Sequence, residues 1–376
     1  MCDKVNLLTK DIDKKILKEI NSITDGFLKK NNLIKSKLIS EYESSLKTGY
    51  QSIISKKVLY YYKYVIEERE KYGKYYVIDQ MGISRVILDC EKLSYGNEFW
   101  KLEDLEFSND ESFLVFSVDT KGSGLCDIYL KSYFEDTIHL LVNNNEDKIS
   151  GNLQISYNNK KIYYTTCDKD IRKNKLYCYE IKSKTNNLLY KEDSRQFNIS
   201  LGNSCDNSKI FMIVHSYSSN EIYEILDDRL MLLFERSDYV EYSVDYYINT
   251  WYVLKKNKDK TTDFLKYDDE CFEEDVIIKN KNIEIDDYYI AYGYAFIFVI
   301  ENGNNTLYLL SLSNNKVITT RFIDSRYRIS FPRLSNMNVL NSVVVISFES
   351  YIIPMCNIVI DLKNLEDKLF ILDKKY

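Results

Sequence analysis

Only two prolines, eleven glycines and two histidines occur in 376 residues, and each scarcity removes a class of chemistry. The nucleophile elbow Gly-x-Ser-x-Gly needs small residues around its serine, because the strand-to-helix turn there is strained. No two of the glycines stand four residues apart, so the motif is absent, and Gly122-Ser123-Gly124 reads as a flexible turn. A Ser-His-Asp relay needs one histidine between nucleophile and acid, and only His139 and His215 are available. His215 has Ser216, Ser218 and Ser219 beside it, but neighbouring strand residues point to opposite faces. Zinc takes three or four N/S ligands, which two isolated histidines do not supply. No catalytic, cofactor-binding or metal-binding residue is therefore assigned.

Other absences narrow the class further. The eight cysteines (Cys2, Cys90, Cys126, Cys167, Cys178, Cys205, Cys271, Cys356) include no CxxC pair. Without a signal peptide they read as reduced thiols, including Cys167 and Cys178, which flank the loop of one hairpin. The acidic run Asp268-Asp269-Glu270-Cys271 with Glu273-Glu274-Asp275 lacks the central glycine of an EF-hand and reads as a solvated hairpin edge. A net charge of −6 argues against a phosphate-backbone binder. Lys255, Lys256, Lys258 and Lys260, with Asp259 among them, read as a solvated hairpin tip. No apolar run approaches the ~18 residues of a membrane span, and no apolar stretch follows Met1-Cys2-Asp3-Lys4. These observations predict a cytoplasmic protein without signal peptide, membrane span or nucleic-acid partner.

What is abundant is tyrosine, 34 residues of it, within 14% aromatic content. Tyrosine suits half-buried strands whose hydroxyls reach water. An AT-rich codon bias produces the same excess, so tyrosine alone does not decide the class. The pattern along the chain does. Ile12, Ile16, Ile20, Ile23 and Phe27 recur at helical spacing, with Gly26 as a candidate interruption. Leu33, Ile34, Leu38, Tyr42 and Leu46 suggest a second helix. Residues 1–50 are read as a helical leader that caps the domain.

From Val58 onward, runs rich in Val, Ile, Phe and Tyr alternate with polar turns: 58–66, 112–119, 161–168, 209–216, 250–256, 294–301 and 342–349. Each is followed by a strand built on an anchor: Tyr76, Tyr129, Tyr177, Tyr223, Leu265, Tyr308 and Ile358. The anchors are 53, 48, 46, 42, 43 and 50 residues apart. That is the period of a four-stranded propeller blade, not of a 20–35-residue solenoid repeat. The predicted fold is all-β, a seven-bladed β-propeller over residues 51–376 behind the leader. Closure between the first blade, near Val58, and the last, near Ile358, is its expected weak point.

Between Tyr60 and Lys368 the order of segments resembles the propeller of the prolyl oligopeptidase family, especially its oligopeptidase B branch. Tyr60-Tyr61-Tyr62 with Glu67-Glu68-Arg69-Glu70-Lys71-Tyr72 resembles the opening "YYY…EEGK.Y". Ser117-Val118-Asp119-Thr120-Lys121-Gly122 resembles "SVDT.G", and Tyr164-Thr165-Thr166 with Asp168 and Arg172 resembles "YT…D…R". Tyr190-Lys191-Glu192-Asp193 and Ile199-Ser200-Leu201-Gly202-Asn203-Ser204 are similar to "YEE.D…VSLG.S". His215-Ser216-Tyr217-Ser218 with Glu221, and Glu241-Tyr242-Ser243-Val244-Asp245, resemble "HS.S…SEV" and "EYSVDH". Where the family turns with "SPDG", this chain has Ser108-Asn109-Asp110-Glu111, and the turn is expected to form through Asn109 and Asp110.

The resemblance implies a function. In the family the propeller restricts access to short peptides, while an α/β-hydrolase domain holds the Ser, Asp and His. These 376 residues carry no part of that domain, so the chain is expected to be inactive alone. Three readings stay open. It is the gating half of a split enzyme whose peptidase domain is encoded separately. It is a stand-alone interaction module, a pseudopeptidase that binds peptides or proteins. Or it is a degraded gene fragment.

Overall fold

In a computed structural model, residues 14–45, 49–144, 148–279, 283–301, 303–320 and 326–364 are described. They fall into two units. One comprises the leader up to Tyr50 with Glu67–Arg69; the other comprises Gln51–Ile66 and the chain from Glu70 onward.

The leader holds two helices, Lys14–Lys30 and Asn32–Ser45. The first runs straight through Gly26 rather than stopping there. Its glycine costs about 1 kcal/mol of helix propensity, too little to break a strongly amphipathic segment. The break falls at Asn31, whose side-chain amide donates to Phe27 O at 2.9 Å. On the first helix Ile16, Ile20, Ile23 and Phe27 are all more than half exposed, Ile23 by 74%.

The second unit is a seven-bladed propeller. Blade 1 lies within residues 51–89 and blade 7 within 327–361; blades 2 to 6 (101–142, 149–191, 198–234, 241–279 and 284–320) each follow one rule, four consecutive antiparallel strands, inner to outer, joined by tight hairpins. Blade 2, for example, runs Lys101–Phe107, Phe113–Asp119, Asp127–Ser132 and Ile138–Val142. The second strands are apolar because both their faces are covered by neighbouring blades. Phe113–Asp119 and Lys161–Cys167 are buried along almost their whole length. Each anchor residue lies on the third strand, opposite a second-strand residue: Tyr129 against Phe116, Tyr177 against Tyr164, Leu265 against Val253, Ile358 against Ile346.

The core is a series of sandwiched layers rather than one centre. Val115 and Ile128 of blade 2 pack with Leu153 and Tyr164 of blade 3, and Tyr163 and Cys178 of blade 3 with Met212 and Val214 of blade 4. Trp251 fills the layer between blades 4 and 5, against Phe211 and Tyr246. Each such side chain contributes roughly 1.5–3 kcal/mol of transfer free energy. Cys178 lies opposite Tyr163 and Cys167 opposite Lys173, so the two thiols do not face one another. All seven described cysteines are free.

A turn recurs between the inner two strands of blades 2, 3 and 4, at Ser108, Ser156 and Ser204. Each serine hydroxyl accepts backbone N–H bonds from beyond the turn: Ser112 and Phe113, Lys160 and Lys161, and Lys209. The fourth residue is left-handed each time: Glu111 (φ 53°), Asn159 (φ 61°) and Asn207 (φ 58°). Asparagine tolerates that conformation; glutamate ordinarily does not. The unusual dihedral in Ser108-Asn109-Asp110-Glu111 therefore falls on Glu111, not on Asn109 or Asp110.

Candidate functional site

The inner strands surround a central channel, with a cavity of about 510 Å3. Residues of blades 1, 2, 4, 5, 6 and 7 line it, including Lys57, Asp104, Glu106, Asp245 and Arg333. Its construction follows from how the ring closes.

Among the described residues no strand pairs blade 7 with blade 1. The inner edge of blade 1 consists of two-residue strands only, Ser55–Lys56 among them. Residues 331–339, between the first two strands of blade 7, close the gap with polar contacts and with Leu334 and Met337, which pack against the core of blades 1 and 2. Asn338 donates to Lys57 O at 2.7 Å across the gap, and within blade 7 Asn336 fixes the segment by exchanging bonds with both Val345 N and Val345 O at 2.8 Å. Arg333 reaches beyond blade 1 to blade 2. Its guanidinium pairs with Glu106 on the inner strand of blade 2 and donates to Leu105 O at 3.3 Å. Glu106 is buried, with 6% of its side chain exposed, whereas 57% of the Arg333 side chain meets solvent. Burial pushes the Glu106 carboxyl above its ordinary range, although Arg333 opposes that shift.

Lys57 continues this wall. It is buried, and its ammonium donates to Phe107 O at 3.1 Å and Ser108 O at 2.9 Å. Burial brings its pKa down to about 8. Next to it, the Glu111 carboxylate accepts from the backbone N–H groups of Val58, Leu59 and Tyr60 at 2.8–2.9 Å and from the Tyr62 hydroxyl at 3.0 Å. Tyr62 is fully buried and packs edge-on against Phe107 and Tyr133. On the far wall Asp245 accepts from Cys205 N and Tyr246 N, both at 2.7 Å. Burial raises its pKa to about 7.

The other residues singled out in the sequence hold loops. Asp119 accepts from Lys121 N, Gly122 N and Gly124 N, so the "SVDT.G" segment is a carboxylate-centred turn. Asp168 fixes Arg172 at 2.9 Å, and Arg172 in turn donates to the carbonyls of Glu192, Ser194 and Phe197 in the approach to blade 4. Glu192 and Glu221 share the Arg236 guanidinium at 2.8 and 2.7 Å, and that guanidinium lies 3.5 Å over the Phe197 ring. His139 is exposed on the outer strand of blade 2. His215 ends the second strand of blade 4, opposite Asn198 and Asn220; burial lowers its pKa. The Ser216 hydroxyl turns back to Ser219. The acidic run is divided: Asp269 accepts from Tyr246 Oη and Trp251 Nε1, while Glu274–Lys279 is the outer strand of blade 5. Among the described residues no group of three His, Cys, Asp or Glu side chains is placed to hold a metal.

Fold and channel together define a seven-bladed propeller domain whose ring, among the described residues, is closed by side-chain contacts rather than by a shared strand. The prolyl oligopeptidase N-terminal β-propeller model matches residues 9–371, and the chain belongs to that family. It is similar in structure to oligopeptidase B from Trypanosoma brucei, solved with covalently bound antipain in a closed form. That match has a TM-score of 0.79 at 17% identity and covers 94% of this chain and 54% of the other. Oligopeptidase B from Leishmania major gives 0.78 at 13% identity, with the same coverage. Dipeptidyl aminopeptidase BI of Pseudoxanthomonas mexicana is 28% identical over 189 residues, 48% of this chain and 25% of that protein. The chain thus spans about half the length of the solved relatives. Among the described residues no helix is long and apolar enough to cross a membrane.

Sequence reading did not find Lys57, Glu106, Glu111 or Arg333. A signal for Glu111 exists: Ser108, Ser156 and Ser204 repeat at a constant interval of 48 residues, which marks the left-handed position three residues on. Arg333 has no such local mark.

Proposed function

We propose that this chain is the substrate-gating propeller of an oligopeptidase B-like serine peptidase, with the nucleophile supplied by a peptidase domain outside these 376 residues. The observation that carries the reading is the channel. A cavity of about 510 Å3, lined by charged side chains and by apolar ones such as Leu102, Phe331 and Met337, accommodates a few residues of extended peptide and excludes a folded domain. The exposed apolar face of the first leader helix, Ile16, Ile20, Ile23 and Phe27, supports a docking role toward that peptidase domain. Free thiols throughout the described residues support a cytoplasmic location.

The test is to assay the purified chain against peptides with Arg or Lys before the scissile bond, then to add a separately expressed peptidase half. The expected result is no hydrolysis by the chain alone and restored hydrolysis, with co-purification, on mixing. Hydrolysis by the chain alone that a serine-directed inhibitor abolishes would overturn the reading. Failure to co-purify would favour the stand-alone module.

A further inference from the structure

The channel wall has a surplus of hydrogen-bond donors. Arginine carries five N–H donors and lysine three. Arg333 spends one on Leu105 O and one on Glu106, and Lys57 spends two on Phe107 O and Ser108 O. Three guanidinium donors and one ammonium donor remain, and both side chains line the same cavity.

The carboxylates that line the cavity beside them have partners of their own. Glu103 pairs with Lys101 at 2.8 Å. Asp104 accepts from Leu105 N at 2.9 Å, Leu153 N at 3.1 Å and Asn152 Nδ2 at 3.3 Å. Glu106 also takes Gln154 Nε2 at 3.1 Å, and Asp245 takes two backbone N–H groups. Both partners line the cavity, but the Arg333 side chain is 57% exposed and that of Glu106 only 6%, so the guanidinium is the accessible member of the pair. A planar fork of free donors in a confined space matches a carboxylate.

We propose that Arg333, assisted by Lys57, is a carboxylate-binding site of the channel, which takes the C-terminal or an acidic side-chain carboxylate of a short peptide. This rests on the reading of the channel as a peptide route. Arg333 thereby has two roles: it closes the ring through Glu106 and selects what enters through its remaining donors.

The experiment is calorimetric titration of the 376-residue chain with three peptides: acetyl-trialanine as free acid, the same peptide as C-terminal amide, and acetyl-Ala-Asp-Ala-amide. The free acid is expected to bind about tenfold or more tighter than the amide, the effect of losing a charge-assisted pair of bonds. An Asp peptide as tight as the free acid would extend the site to side-chain carboxylates; one as weak as the amide would confine it to the terminus. Either supports the site. Arg333→Gln should remove the preference, and Glu106→Gln should strengthen it by freeing the guanidinium. A merely structural role for the pair would weaken binding in both variants. Should Arg333→Gln fail to fold, weaker free-acid binding by Glu106→Gln would overturn the proposal by itself. Equal binding of acid and amide by the unaltered chain would overturn the carboxylate site and leave the peptide route standing. No binding of any peptide would overturn both.

Discussion

The Tyr62 hydroxyl donates to Glu111 at 3.0 Å across the seam between blades 1 and 2, and Glu111 holds this position with a left-handed backbone. Three consecutive N–H groups, of Val58, Leu59 and Tyr60, converge on the same carboxylate. Strain of ~1–2 kcal/mol at a non-glycine residue is offset by four charge-assisted bonds, each net favourable by roughly 1.5–3 kcal/mol.

Replacing Glu111 tests that balance. Glu111→Gly relieves the backbone but abolishes all four bonds, so the chain should lose at least about 4 kcal/mol of stability in urea melts. Glu111→Gln keeps the shape and one acceptor, and should lose about half as much. A glycine variant as stable as the parent would show that the dihedral, not the carboxylate, dominates.

Asp245 makes stability depend on pH. Its folded pKa, about 7, lies above the ordinary value near 4 of an unfolded aspartate. The sign follows from linkage: the folded state binds the proton more tightly, so this contribution is full below pH ~4 and is lost as pH rises through ~7. Asp245→Asn retains an acceptor for Cys205 N and Tyr246 N. It should therefore raise the melting temperature at pH 8 while leaving it nearly unchanged at pH 4. Equal shifts at both pH values would rule out titration as the cause.

Arg236 neutralises two largely buried carboxylates, Glu192 and Glu221. Arg236→Met should cost about 3 kcal/mol, because both carboxylates are left without a counter-ion. Adding Glu221→Gln to that variant should recover part of the loss. A double variant worse than the single one, in guanidinium denaturation, would mean that the glutamates are stabilised by something other than Arg236.

Two glycines should respond differently to a methyl group. At Gly151, φ is +88° and an added Cβ would lie 2.9 Å from both Cys126 Sγ and Glu103 Cβ. Gly82, at φ +82°, has open space around it. Gly82→Ala should cost about 1 kcal/mol of backbone strain, and Gly151→Ala at least about 2 kcal/mol more through overpacking. Thermal melts that rank them the other way would contradict the packing between blades 2 and 3.

How far the sequence could be read depended on how local each feature is. Strand periodicity and turn residues are set within ten residues, so the blade repeat was legible from Val58 to Ile358. The leader helices were legible by the same logic, but the break was misplaced at Gly26, because propensity is weak beside amphipathic pattern. Asp119 and Asp168 were visible as parts of motifs, although nothing local showed that they organise loops.

The sequence by itself determined the seven-fold repeat, the helical leader, and the lack of a nucleophile elbow and of a histidine cluster. Tertiary structure alone decided how the ring closes and what the channel presents. Arg333 and Glu106 are 227 residues apart, and Lys57 meets Ser108 across a blade boundary. Neither pair leaves a periodic trace, because which side chains meet at the axis depends on the accumulated rotation of all seven blades. That rotation buries Glu106 and leaves the guanidinium of Arg333 facing solvent.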